Sequence, residues 1–137
     1  MRRGLRPEDL GDLLEQPLVA VLATYRRDGS VLLSPVWHRW RDGGFDVATN
    51  SGGPKERHLR RDPRASIVVC ENVPPYRGIE VRGEARLLPA GDTLREVAIR
   101  YLGEEAGRAF ATTTSDDVLI RLEPGRLRAW DFADDFS

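Results

Sequence analysis

Apolar residues fall along this chain in short runs of strand length, some alternating with polar residues and some continuous, and at helical spacing in a few places. Pro7 to Glu15 puts Leu10, Leu13 and Leu14 at helical spacing, and Pro17 ends that helix. Leu18 to Tyr25 is a largely apolar run suited to a buried strand. Arg27 to Ser30 makes a hairpin turn, because Asp28-Gly29 supplies the positive φ that such turns need. Val31 to Trp40 reads as a second strand, with Leu33, Pro35, Trp37 and Arg39 on one face and Leu32, Ser34, Val36, His38 and Trp40 on the other. Pro35 cannot donate to a ladder, so this strand is expected at an edge or bulged. Asp42 to Gly44 turns the chain into a third strand, Phe45 to Asn50.

Pro54 then suits the first position of a helix, which Asp62-Pro63 ends by forcing extended backbone. Ala65 to Glu71 is apolar enough for a central strand. Asn72 to Tyr76 forms a rigid loop. Ile79 to Leu87 alternates, with Ile79, Val81, Gly83, Ala85 and Leu87 inward. Thr93 and Glu96 fit a capping box, opening a helix with Leu94, Val97, Ala98, Tyr101 and Leu102 as its apolar stripe and an end near Gly103. Glu104 to Phe110 adds a short helix. Val118 to Leu122 and Leu127 to Phe132 are two last strands around the turn Glu123 to Gly125. About six strands joined mainly by short turns, with helices at the edges, predict a mainly β fold, a small antiparallel barrel. No repeat or βαβ alternation is present, so residues 1–137 are expected to form one domain.

Charge and composition narrow the function more than the fold. Lys and Arg total 21 against 22 Asp and Glu, a formal charge of −1, so no global attraction to nucleic acid or an anionic membrane is expected. The one cysteine, Cys70, lies in an apolar run and is expected to be buried and inert; a chain without a disulfide framework fits a reducing compartment. No apolar segment follows Met1 to Gly4 as a signal peptide would require, and no run has the length of a membrane span. The expectation is a cytoplasmic protein. His38 and His58 have no Cys or His neighbours at ligand spacing, so no metal site is expected. His38, Trp37 and Trp40 read as packing residues of their strand.

One stretch carries candidate chemistry. In Asn50 to Arg64 the glycines 52 and 53 permit a tight turn, and Lys55 and Arg57 fall in the first turn of the helix, whose N–H groups lack helical acceptors. Such a terminus attracts anions, phosphate above all. Lys55 is the only lysine in the chain, against twenty arginines. The stretch reads equally as a solvated basic helix face or as an anion site.

Thr49-Asn50-Ser51, two glycines and the following Lys55 to Arg64 resemble the pyridoxamine-phosphate-oxidase-like split β-barrels. Within them the chain is most similar to the flavin/deazaflavin oxidoreductases, the branch that uses coenzyme F420 in actinobacteria and archaea. The likeness extends through Val21 to Thr24, Asp28 to Ser30, Ser34 to Trp37, Val81 to Gly83 and Trp130. It implies a Greek-key, FMN-binding-like split barrel that forms a homodimer with a cofactor at each interface site. Carried over by residue, Lys55 and Arg57 would take the cofactor phosphate, with Thr49, Asn50 and Ser51 beside it. Ser34, Pro35, Val36 and Trp37 would line the ring, Tyr76 would complete the pocket, and Trp130 would do so from the partner subunit. The FMN-binding oxidases carry Ser-Arg-Lys where this chain has Gly53-Pro54-Lys55, which leaves Arg57 to replace the missing arginine. The chain also stops soon after Trp130, so pyridoxamine oxidation is not expected. The resemblance implies an F420-dependent reductase passing hydride to a small unsaturated or heteroaromatic acceptor. The alternatives are an FMN-binding oxidase or electron carrier, and a non-enzymatic barrel that carries cofactor or haem.

Overall fold

The computed structural model describes residues 1–113 and 117–136. The described residues form eight strands: β1 (Ala20–Tyr25), β2 (Val31–Val36), β3 (Arg39–Arg41), β4 (Gly44–Asn50), β5 (Arg64–Cys70), β6 (Gly78–Pro89), β7 (Asp117–Leu122) and β8 (Arg126–Trp130). Three α-helices accompany them: α1 (Pro54–Arg61), α2 (Thr93–Leu102) and α3 (Glu104–Ala111). The strands pair antiparallel in the order β2-β1-β5-β6-β7-β4-β3, and β8 joins the first half of β6. The long strand β6 serves both halves, meeting β5 and β8 with residues 78–84 and β7 with residues 85–89. The sheet therefore curls into a half-barrel, and the apolar inner positions of its strands, among them Leu22, Phe45, Ile67, Val81 and Ile120, fill the inside.

Most predicted elements are present, and the departures have local causes. Pro7 to Glu15 is two 3-10 turns, Pro7–Leu10 and Leu13–Glu15, because Gly11 at φ 59 interrupts the helix; Leu10 and Leu13 still plug the core. The predicted strand from Val31 to Trp40 breaks after Val36 and resumes as β3. Strand β2 ends the strand order, as Pro35 requires, with Ser34 and Val36 facing inward and Leu33 and Pro35 outward. The apolar run of β1 is not buried on both sides: Ala20, Leu22 and Thr24 face in, while Val21, Ala23 and Tyr25 are only half-covered. Cys70 is exposed, because the alternation that buries Ile67 and Val69 turns it outward. Helix α2 has no side-chain cap: Asp92 holds the N-cap position, Thr93 is a buried first helical residue, and Glu96 pairs with Arg39 instead of reaching back. Strand β8 ends at Trp130, two residues before the predicted end.

Two buried carboxylates tie these elements together. Asp46 on β4 accepts from Arg39 (3.0 Å) and Arg121 (3.1 Å), with Arg41 at 3.3 Å. Arg121 also donates to the carbonyls of Arg41 and Asp42, which fixes the β3–β4 turn. Glu71 receives a two-pronged bond from Arg77 (2.8 Å each), which also reaches Asp12 and the Leu10 carbonyl, so the loop after β5 holds the N-terminal segment in place. Arg77 draws the Glu71 carboxyl below its ordinary range, against the opposing effect of burial. Among the described residues no helix is long and apolar enough to cross a membrane.

Candidate functional site

Strand β4 delivers the chain to a turn in which Gly52 sits at φ 81, a conformation that side chains rarely adopt. Gly53 is the N-cap of α1 and Pro54 its first residue. The turn is braced from within by Glu56, a buried carboxylate that accepts from the Gly52 N–H (3.4 Å) and the Ser51 hydroxyl (3.3 Å). This residue has no place in the sequence reading, and it sets a carboxylate beside the turn that was expected to attract an anion. The helix itself is held to β1 by a 3.0 Å hydrogen bond between His58 Nδ1 and the buried Thr24 hydroxyl. Burial, then the cations of Arg61, Arg26 and Arg57, lower the His58 pKa, so the ring is neutral at pH 7.

With the turn braced, Lys55 is directed to one side of α1 and Arg57 to another. Lys55 reaches the rim of a cavity of about 390 Å³ between the end of β2, the end of β4 and the α2–α3 pair. Pro35, Val36 and Trp37 form one apolar wall, and Leu94 and Phe110 form another. Thr49, Asn50, Lys55 and Asp117 supply the polar positions. The volume lies in the lower part of the roughly 300–1,000 Å³ range of small-molecule sites. Lys55 makes no ion pair among the described residues.

Arg57 instead donates to the Gly52 carbonyl (2.8 Å) and lines a second cleft with Arg26, Arg27, Asp28, His58 and Arg61. Among the described residues none of these four arginines has a carboxylate partner, and Asp28 is engaged by the Ser30 N–H (2.9 Å) and hydroxyl (2.6 Å).

Six of the residues singled out from the sequence thus meet in one cavity: Pro35, Val36, Trp37, Thr49, Asn50 and Lys55. Ser34 is buried on the inner face of β2, and Ser51 braces the turn beside the cavity. Tyr76, at φ 54, lies elsewhere and packs on Phe136 with ring centroids 5.8 Å apart. Trp130 covers Gly78, where an added Cβ would meet its ring at 2.3 Å. Both are outside this cavity within one chain. The sequence reading missed Phe110 and Leu94, and the one available signal was a large aromatic at the end of a helix otherwise built of Ala, Gly, Glu and Arg.

The aromatic floor is rigid. Trp37 stacks on Tyr101 (5.1 Å, 11°), whose hydroxyl donates to the Leu18 carbonyl (2.6 Å) and accepts from the His38 N–H (3.0 Å). Arg100 pins the same end of α2 through the carbonyls of Leu14, Gln16 and His38. His38 is wholly buried against Phe45 and Tyr101; burial, then the charge of Arg100, pushes its pKa down to about 4. It packs beneath the floor and does not line the cavity. Trp40 likewise packs on Phe45, at 4.9 Å. Among the described residues no group of three or more His, Cys, Asp and Glu side chains could hold a metal ion.

Comparison with known families adds the decisive observation: the profile described as pyridoxamine 5'-phosphate oxidase matches residues 7–131, nearly the whole chain. The chain belongs to that family. Among solved structures, the fold is similar to the conserved hypothetical protein Rv2991 from Mycobacterium tuberculosis, with TM-score 0.80, 25% identity, and 97% of this chain and 89% of that one covered. A structure described as an F420 reductase matches with TM-score 0.72 and 27% identity over 89% of this chain and 98% of that one. An FAD-binding protein from Mesorhizobium loti shares the fold (TM-score 0.66, 20% identity, 93% of each chain covered). Comparison with curated protein sequences finds no match.

Proposed function

We propose that this protein is an F420-dependent oxidoreductase of the pyridoxamine 5'-phosphate oxidase family, acting as a reductase on a small unsaturated or heteroaromatic acceptor. The observation that carries this reading is Lys55, a lone lysine with no ion pair among the described residues, on a cavity that also has two apolar walls, Pro35 to Trp37 and Leu94 with Phe110. A charge-assisted contact to phosphate fits that position, while Pro35, Val36 and Trp37 offer a flat apolar surface to a ring. The likeness to a 27%-identical F420 reductase points the same way.

FMN would use Lys55 and the apolar wall equally well. The second cleft favours the deazaflavin, whose tail carries carboxylates that FMN lacks: Arg26, Arg27, Arg57 and Arg61 have no carboxylate partner among the described residues and together attract an anion. Bound F420 supplies the hydride chemistry itself. The chain's residues then have the tasks of holding the phosphate (Lys55), fixing the ring plane (Pro35 to Trp37) and excluding water from the apolar side (Leu94, Phe110).

The reading includes a second copy of the chain. The outward face of β2, β1 and β5 is a row of apolar side chains: Pro35 lies opposite Val21 and Val21 opposite Val68, with Leu33 opposite Ala23 and Val31 opposite Tyr25. Leu33 is 65% exposed and Val19, on the cavity rim, 56%. A face of this kind, continuous with the cavity, suits a homodimer that closes the site, and Trp130 of the partner subunit is the residue proposed to reach it.

Fluorescence titration of the purified protein with F420 and with FMN tests the proposal. F420 is expected to bind at least tenfold more tightly; equal affinity or a preference for FMN would transfer the assignment to an FMN-binding oxidase or electron carrier. Light scattering should give twice the monomer mass, and a monomer at micromolar concentration would remove the two-subunit site.

A further inference from the structure

Helix α3 is attached to the molecule in an unusual way. Its one buried residue is Gly107, which crosses α2 so closely that a Cβ there would lie 2.4 Å from the Ile99 Cα. Its extensive contacts are with α2 alone, and α2 is pinned through Arg100 and Tyr101. The side chain that α3 sends toward the barrel is Phe110, 39% exposed, whose ring meets Trp37 at 5.4 Å and 54°. Trp37 is stacked on Tyr101, and both Trp37 and the half-exposed Phe110 line the cavity, so an acceptor entering from the α3 side meets the Phe110 ring.

We propose that Phe110 determines acceptor specificity in this cavity, selecting an uncharged planar ring that packs on its open face beside Trp37. The inference rests on the cofactor site proposed above and goes further by assigning the residue that selects the acceptor and by narrowing the acceptor to an uncharged planar ring. Leu94 and Phe110 leave the α2–α3 wall apolar. A tilted aromatic pair favours a third ring over an aliphatic group of equal bulk, because offset and edge-on ring contacts add attraction beyond the area buried. The close crossing at Gly107 fixes the distance of Phe110 from Trp37, so the selection is by shape as well as by contact.

The test uses two neutral probes of matched size, 2-naphthamide and its saturated decahydro counterpart, titrated calorimetrically into the purified protein loaded with whichever oxidised cofactor it binds. Wild-type protein is expected to prefer the planar probe by about three- to tenfold. Phe110→Leu, which keeps apolar bulk, should bring the ratio within twofold, and Phe110→Tyr should restore it. An unchanged ratio in Phe110→Leu, or no planar preference in the wild type, overturns the inference. So does a tenfold loss of cofactor affinity in Phe110→Leu, which would make this ring part of the cofactor wall. If neither cofactor binds the wild type, the proposed function fails, and the probe ratio measured on unloaded protein still decides the role of Phe110.

Discussion

Around Asp46 and Glu71 the arginines close on buried carboxylates, whereas along α1 and the β1–β2 turn the cations face one another. The first arrangement is self-sufficient. Arg39, Arg41 and Arg121 converge on Asp46, and Arg77 meets Glu71 with both prongs, so the charge taken out of water is balanced on the spot. The second is not: Arg26, Arg27, Arg57 and Arg61 share a cleft with a neutral histidine and one carboxylate already committed to Ser30, and Lys55 stands on the neighbouring cavity. One residue type therefore builds the fold in one region and leaves positive charge uncompensated in the other. These arginines are exposed, so water screens their repulsion, and we propose that the negative charge of a ligand completes the balance there.

Breaking the compensated side should have the largest effect. Arg77→Ala leaves Glu71 buried without its partner and is expected to cost about 3–5 kcal/mol in urea unfolding, while cofactor affinity in the folded protein stays within twofold. A loss below about 1 kcal/mol would show that this pair is not what ties the N-terminal segment to the loop. On the uncompensated side the signs reverse. Arg57→Ala and Arg61→Ala should each weaken F420 binding about fivefold, leave FMN binding nearly unchanged, and shift stability by less than about 0.5 kcal/mol. Equal losses for both cofactors would place these arginines at the shared phosphate instead.

Acid sharpens the contrast. The Glu71 pKa is lowered in the folded protein, so its contribution to stability is fully present above the ordinary value of about 4.5 and is lost as pH falls through the lowered folded value. Arg77→Ala removes the cause of the lowering and leaves the burial that opposes it. The stability deficit of the variant should therefore be smaller at pH 4 than at pH 7, and a deficit independent of pH would contradict the assignment. Salt should give the smallest effect. Between about 50 and 500 mM, F420 affinity is expected to fall more steeply than FMN affinity, because screening acts most on the exposed cleft.

What could be read before folding was what depends on neighbours in sequence. Asp28-Gly29 made a hairpin, Pro54 opened α1, Asp62-Pro63 closed it, and Pro35 put β2 at the edge. The cluster of Pro35 to Trp37 with Thr49, Asn50 and Lys55 was likewise legible, since it joins the ends of two strands to the turn that follows one of them. The α2–α3 wall was not, because Phe110 reaches Trp37 only through the packing of Gly107 on Ile99, which no local pattern encodes. Glu56 was invisible for a similar reason: as a helix residue it reads as solvated, and only the shape of the preceding turn draws its carboxylate inward. Cys70 was misjudged by counting apolar neighbours where the two-residue period decided the face.

Lys55→Ala tests the central claim most directly, with F420 and FMN affinities and the melting temperature measured on the same preparations. The account predicts a ten- to hundredfold loss of affinity for both cofactors, about 1.5–3 kcal/mol, from the lost charge-assisted contact to phosphate. It also predicts a melting temperature within about 2 °C of wild type, because Lys55 makes no ion pair or side-chain hydrogen bond among the described residues. Wild-type affinity for both cofactors in this variant would reduce α1 to a solvated basic helix and contradict the assignment of the site.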